Sequence, residues 1–63
     1  MLYLSKFYPL LHKSVNVVLY DADTCDFLYE GMLKNIPDEY DEATVADFCW
    51  TDNAILFYIK KED

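Results

Sequence analysis

The segments of this chain that have strand character carry apolar side chains on both of their faces. In residues 15–20 and 54–59, β-branched, aliphatic and aromatic side chains occupy every position except Asn16. Because residues i and i+2 share a strand face, a sheet built from these segments is apolar on both sides. One short helix covers only one side, so the second side needs loops or another molecule as its cover.

Length and charge limit the other possibilities. The chain has 63 residues, which predicts a single small domain over 1–63, and a formal net charge of −7. With 54% hydrophobic residues it is too apolar for a disordered acidic tail. Its five basic residues, all lysine, disfavour direct nucleic-acid binding through a basic surface. We also expect no enzyme activity, because few residues are left for a cleft once a core is built.

The N-terminal segment is ambiguous between helix and strand over residues 2–12. Leu4, Phe7, Tyr8 and Leu11 have the spacing of an amphipathic helix, with Ser5 as its N-cap. Pro9 opposes a long helix because it lacks a donor and crowds the preceding turn. The sequence therefore predicts a short helix, and a strand over residues 1–7 is the alternative.

The remainder of the chain is typical of two β-hairpins. Strand character over 15–20 and 27–33 flanks a turn rich in aspartate, and a second pair covers 43–51 and 54–59. The only glycine, Gly31, predicts a bulge or a close backbone approach. Pro37, followed by two acids, fits the first turn of a short helix in the connection. The predicted fold class is α+β, with a short N-terminal helix packed on a four-stranded antiparallel sheet made of two hairpins.

Alternation along the strands predicts which aromatic side chains lie on the uncovered face. We expect this face to expose Trp50, Leu56 and Tyr58, with Tyr20 as a further candidate. In the third strand Phe48 is predicted to share a face with Trp50, and a bulge would move both to the other side of the sheet. An exposed aromatic patch is typical of an interface, either with a partner or in a homodimer. The alternative is that aromatic side chains fold over the sheet edge and loops cover the rest.

The carboxylates are concentrated in two blocks, one on the first hairpin and one around the connection. Rows of carboxylates attract a basic partner by electrostatic steering, although an acidic surface also simply keeps a small apolar protein soluble. The predicted partner-binding residues are these acids together with two aromatic anchors: Asp21, Asp23, Asp26, Glu30, Asp38, Glu39, Asp41, Glu42, Trp50 and Tyr58.

Metal binding and catalysis have weak support. The aspartates of the first turn do not match a calcium loop, since Cys25 takes a ligand position and Asp26 takes the glycine position. His12 is the single histidine, and nothing places it beside either cysteine as a base. We therefore expect no catalytic residue, no metal and no cofactor.

Cys25 and Cys49 match no zinc or redox signature. We interpret both as reduced and mostly buried thiols of a cytoplasmic protein, with a disulfide as the alternative. The N-terminus lacks the features of a secretory signal. A chain of this size usually needs a disulfide, a metal or a partner subunit to be stable. Because neither a disulfide nor a metal site is evident, oligomerisation is favoured.

Three short strings give the chain a resemblance to known sequences: YDADT at 20–24, LYEG at 28–31 and IP at 36–37. From residue 15 onward it resembles small uncharacterised acidic proteins encoded by phages and mobile elements of Gram-positive bacteria. The resemblance implies a helix followed by two hairpins, and a bacterial host cell as the setting. It carries over no catalytic residue. Small acidic proteins in such settings are often inhibitors of host defence, including anti-CRISPR proteins.

The sequence therefore predicts a non-enzymatic inhibitor that binds a basic nucleic-acid-binding protein, such as a CRISPR effector, with its acidic blocks standing in for phosphates. It does not predict membrane association. The alternative is a small homo-oligomeric accessory protein of a phage or mobile element, in which the aromatic face serves self-association.

Overall fold

The computed structural model describes residues 2–61. The described chain contains a seven-residue N-terminal 3-10 helix, four strands and two single 3-10 turns. The elements are, in chain order, the N-terminal helix (Leu4–Leu10), β1 (Asn16–Asp21), β2 (Phe27–Met32), a turn (Leu33–Asn35), a second turn (Asp38–Tyr40), β3 (Thr44–Trp50) and β4 (Ile55–Lys60). This arrangement confirms the α+β class and both predicted hairpins.

The four strands form one mixed sheet in the order β2-β1-β4-β3. Both hairpins are antiparallel, as predicted, but β1 and β4 pair in parallel, with Val17 opposite Ile55 and Leu19 opposite Phe57. The prediction of a fully antiparallel sheet was therefore wrong. The reason is that residues 33–43 carry the chain from the β2 edge to the β3 edge, so that β4 returns beside β1 in the same direction. The two most apolar strands thereby occupy the centre of the sheet.

The core lies on one face of this sheet. Five side chains from the two central strands form its floor and are almost fully buried: Val17, Leu19, Ile55, Phe57 and Ile59. Leu4 covers them from the N-terminal helix, and the crossing connection adds Leu33, Ile36, Tyr40 and Ala43. We call this side the covered face. The N-terminal helix and the crossing connection both pack on this face.

The N-terminal helix is confirmed in position, and its predicted apolar stripe packs on the core. Ser5 is not its N-cap, however: Tyr3 takes that position without a side-chain cap. The first helical N–H groups bond to the connection instead, from Leu4 to the Ala43 carbonyl at 2.8 Å and from Ser5 to that of Asp41 at 3.3 Å. These bonds satisfy the donors that a cap would otherwise satisfy.

The strand alternative for the N-terminus holds only for the residues just before the helix. Tyr3 forms an isolated antiparallel bridge with Thr44, and the Val45 N–H donates to the Leu2 carbonyl at 2.9 Å. The predicted strand also included Met1, which lies outside the described residues. The chain therefore runs beside β3 briefly and then turns into the helix.

The first hairpin turn is built by Asp21. Its Oδ1 accepts hydrogen bonds from the backbone N–H groups of Asp23 at 2.8 Å and Thr24 at 3.1 Å. Cys25 completes the turn with φ of 62°, in the left-handed region, and donates its N–H to the Asp21 carbonyl at 2.8 Å. The predicted aspartate turn is thus confirmed, and Asp21 has a structural task there.

Gly31 does not lie at a bulge. The two irregularities of the sheet fall between Leu19 and Tyr20 and between Val45 and Asp47. Gly31 instead provides room for a side chain, since a Cβ added there would lie 2.6 Å from Oη of Tyr29. That hydroxyl donates to the Met32 carbonyl at 3.0 Å. A group does therefore approach Gly31 closely, but this group is the side chain of Tyr29 and not the backbone that was predicted.

Phe57→Leu tests the location of the core. Phe57 has 0% of its surface exposed and packs edge-on against Phe7 at 5.2 Å between ring centroids. We expect the substitution to lower the free energy of unfolding by about 1–2 kcal/mol, because the lost ring leaves a cavity. The matched control is Phe27→Leu, whose side chain is 59% exposed on the opposite side of the sheet. Equal effects of the two variants in urea unfolding would contradict the assignment of the covered face.

Cys25→Gly tests the strained turn position. The left-handed region destabilises the folded state by about 1–2 kcal/mol for a residue with a Cβ. Glycine avoids this cost, but its larger loss of chain entropy on folding destabilises the folded state by about 0.5–1 kcal/mol. We therefore expect Cys25→Gly to raise the free energy of unfolding by about 0.5–1 kcal/mol. Cys49→Gly, in the interior of β3, should lower it. Urea unfolding in a reducing buffer measures both, and a loss of stability in Cys25→Gly would rule out the strain.

Candidate functional site: an open aromatic sheet face with an acidic rim

The face of the sheet opposite the core has no covering segment among residues 2–61. Cross-strand pairing defines its members, because residues that pair directly point to the same side. We call this surface the open face; its central side chains are Val18, Tyr20, Phe27, Glu30, Asp47, Cys49, Leu56 and Tyr58. Val18 is buried without belonging to the core cluster, so its neighbours on the open face shield it.

Three aromatic rings form a continuous strip across the open face. Tyr20 stacks on Tyr58 with 5.6 Å between ring centroids and an interplanar angle of 24°. Phe27 meets Tyr20 edge-on at 6.2 Å and is 59% exposed. Pairs of this geometry contribute about 0.5–1.5 kcal/mol beyond the area they bury. The strip is therefore a preformed, partly exposed aromatic surface that spans β2, β1 and β4.

Carboxylates border this strip. Glu30 is paired with Val18, Asp47 is paired with Tyr58, and Asp26 directly precedes Phe27. At the end of β4, Lys60 forms an exposed ion pair with Asp23, with 3.3 Å between Nζ and Oδ1. An exposed pair of this kind contributes little stability, so Lys60 can exchange partners. An apolar centre with a charged rim is the usual anatomy of a protein–protein interface.

Leu56, Tyr58 and Tyr20 lie on the uncovered side, as expected, but Trp50 does not. Trp50 pairs with Ile55 and therefore points to the same side as the core. The bulge between Val45 and Asp47 causes the difference, because one extra residue reverses every face assignment around it. Trp50 is nevertheless 58% exposed, since β3 is an edge strand there. The interpretation of Phe27 as part of the site required this three-dimensional register.

The second acidic block is separated from the open face. Asp41 accepts a hydrogen bond from the Tyr8 hydroxyl at 2.9 Å, and Glu39 lies 3.8 Å from Nζ of Lys61. Asp38 and Asp41 line a cavity beside the N-terminal helix, and Glu42 lines a smaller one with Tyr3. The predicted partner-binding residues thus fall on two sides of the molecule. Only Asp23, Asp26, Glu30 and Tyr58 belong to the open face or its rim.

The cysteines were predicted to be mostly buried, and that prediction was wrong. Both are free and exposed, Cys25 in the first turn and Cys49 on the open face. Cys49 Sγ donates to the Trp50 carbonyl at 3.5 Å, and His12 Nδ1 accepts from the Ser14 N–H at 3.2 Å. Within the described residues, neither thiol is hydrogen-bonded to the histidine.

No protein-family model matches the chain, and no curated protein or solved structure matches it either. Across residues 2–61, no helix has the length and hydrophobicity needed to cross a membrane. In the same part of the chain, no three His, Cys, Asp or Glu side chains come together as metal ligands would. The candidate site is therefore defined by its own geometry and charge.

Tyr8→Phe tests the Tyr8–Asp41 bond through its pH dependence. Burial, followed by the hydrogen bond to Asp41 and the charges of Asp41 and Asp38, raises the pKa of Tyr8 above its usual value of 10.0. Folding thus favours the protonated phenol, and its contribution is complete below pH 10 and is lost as the pH rises further. We expect stability to fall less between about pH 9 and pH 11 in Tyr8→Phe than in the wild type.

The matched control for this prediction is Tyr3→Phe, which removes an exposed hydroxyl outside the bond. Urea unfolding at a series of pH values gives the free energy for all three proteins. If Tyr8→Phe and the wild type lose stability in parallel across this range, burial and Asp41 together do not favour the protonated phenol.

Proposed function

We propose that this protein is a non-enzymatic binding module whose open face docks on a basic surface of a nucleic-acid-binding protein. The observation that carries the proposal is the aromatic strip of Phe27, Tyr20 and Tyr58, which lies uncovered inside a rim of carboxylates. Exposed aromatic surface favours a protein partner. The acidic rim favours a partner that is positively charged.

Arginine is the partner side chain that suits this surface best. Its planar guanidinium stacks on an aromatic face and at the same time donates two hydrogen bonds to a carboxylate. The open face offers both groups side by side, since Tyr58 pairs with Asp47 and Glu30 lies next to the strip across from Val18. Proteins that bind phosphate backbones present arginine and lysine in clusters. A nucleic-acid-binding groove is therefore the surface that we propose as the docking site.

The net charge of −7 also favours a basic partner, because it raises the rate of association with one. A strongly acidic protein is steered toward a basic groove, and electrostatic steering raises association rates at low salt. Carboxylates that occupy the groove would take the place of phosphates, so that the bound module excludes nucleic acid. Inhibition by competition then needs no chemistry from this chain, which fits a proposal without catalytic residues.

The biological setting that we propose is a phage or mobile element, with a host defence protein such as a CRISPR effector as the target. This part of the proposal follows the expectation drawn from the strings at 20–24, 28–31 and 36–37, and it includes a location in the bacterial cytoplasm. Self-association through the open face is the alternative. A face-to-face dimer would bring two acidic rims together, which disfavours it at low salt.

The test compares affinity purifications from a bacterial lysate with three baits. The wild type, Tyr20→Ser/Tyr58→Ser and the control Trp50→Ser differ in which exposed aromatics they present. We expect the wild type and the control to retain a basic nucleic-acid-binding protein at about 50 mM salt and to release it at about 500 mM. The open-face variant should bind at least tenfold more weakly, because two central aromatic contacts are lost.

Competition then shows whether the bound surface is the nucleic-acid groove. Adding the recovered protein's nucleic acid should displace the wild-type module. Recovery of the same proteins by all three baits, or binding that does not respond to salt and nucleic acid, would contradict the proposal. Light scattering of the wild type distinguishes the alternative, since a monomer at high concentration is incompatible with a homo-oligomer.

A further inference from the structure

A cavity of about 460 Å³ lies between the N-terminal helix and the crossing connection, on the side of the molecule away from the open face. Its apolar wall consists of the buried side chains of Leu33 and Ile36, with Pro9 and the ring of Tyr8 beside them. This volume lies within the range of about 300–1,000 Å³ that is usual for small-molecule sites. The proposed partner-binding surface leaves the cavity unused.

Two lysines line the cavity together. The backbone N–H of Lys34 donates to the Lys13 carbonyl at 3.3 Å, which holds the two residues side by side. Within the described residues, neither ammonium has a carboxylate within 4 Å, whereas Lys60 and Lys61 each have one. The cavity therefore combines two of the five basic residues of an acidic protein and leaves them without a paired acid in that part of the chain.

Two aspartates line the same cavity. The Asp41 N–H donates to the Asp38 carbonyl at 3.0 Å, and the Tyr8 hydroxyl donates to Asp41 Oδ1 at 2.9 Å. The hydroxyl fixes the orientation of the Asp41 carboxylate, which keeps a second oxygen as an acceptor. No ion pair joins these carboxylates to the two lysines, so their oxygens lie more than 4 Å from the ammonium nitrogens. The cavity thus has an apolar wall with a cationic and an anionic region apart from each other.

We propose that this cavity binds a small zwitterion with an apolar body, of which a short hydrophobic peptide with free termini is the simplest example. Its carboxylate would pair with Lys13 and Lys34, and its ammonium with Asp38 and Asp41. A simple anion is disfavoured by the two aspartates and by the net charge of −7. A simple cation would leave both lysines unpaired. Only a ligand with both charges complements the whole lining.

Titration with the tripeptide trileucine tests the proposal, with nitrogen-15 NMR of the protein as the readout. We expect shift changes in the backbone amides of residues 8–13 and 33–41. The dissociation constant should fall between about 10 µM and 1 mM, as expected for a ligand of this size in an open cavity. The N-acetylated and the C-amidated tripeptides each lack one charge, and each should bind at least fivefold more weakly.

Two charge variants give the matched comparison. Lys13→Gln/Lys34→Gln should weaken trileucine binding at least fivefold and remove the difference between the free and the amidated peptide. Lys6→Gln, an exposed lysine outside the cavity, should leave binding unchanged. All substituted side chains are exposed, so folding is preserved, and circular dichroism checks this. Absent shift changes at millimolar peptide, or equal binding of the acetylated peptide, would overturn the proposal.

This inference is independent of the proposed partner. The cavity and the open face lie on opposite sides of the sheet and share no residue. The Tyr20→Ser/Tyr58→Ser variant should therefore bind trileucine like the wild type. Loss of peptide binding in that variant with an unchanged circular dichroism spectrum would contradict the placement of the ligand in this cavity.

Discussion

The parallel pairing of β1 with β4 is the constraint on which the rest of the structure depends. It places the two most apolar strands side by side, so that Val17, Leu19, Ile55 and Phe57 form one buried floor. Parallel neighbours cannot be joined by a tight turn, and the chain must cross the sheet between the two hairpins. Residues 33–43 make this crossing on the same side as the N-terminal helix. Both available covers therefore lie on one face, and the other face stays open.

This asymmetry also separates the charges into two settings. The first hairpin brings its carboxylates to the rim of the aromatic strip, where they surround exposed Phe27 and half-buried Tyr20 and Tyr58. The crossing connection carries its carboxylates to the other side, where Asp38 and Asp41 meet Lys13 and Lys34 around a cavity. A single acidic composition thus yields an aromatic surface with a carboxylate rim and, apart from it, a cavity lined by two lysines and two aspartates. Because the sheet lies between them, each can be altered without the other.

Much of the fold could be predicted from local pattern. The strands, both hairpins, the aspartate turn and the helical stripe of Leu4, Phe7 and Tyr8 follow from periodicity and turn chemistry. Strand direction in the centre of the sheet could not, because pairing between distant strands leaves no local signal. The side of Trp50 was wrong for a related reason, since the bulge after Val45 arises from the register with β4. The cavity residues Tyr8, Lys13 and Lys34 were missed because the crossing connection brings them together.

The sequence by itself determined that this protein is a small, acidic α+β domain with more apolar strand surface than one short helix can cover. Those properties depend on composition and on spacing over a few residues, which no tertiary contact alters. Only the tertiary structure decided which face is covered, which aromatic side chains form the exposed strip, and where each acidic block lies. Long-range pairing settles these points, because a parallel neighbour or a single bulge moves whole sets of side chains from one side of a sheet to the other.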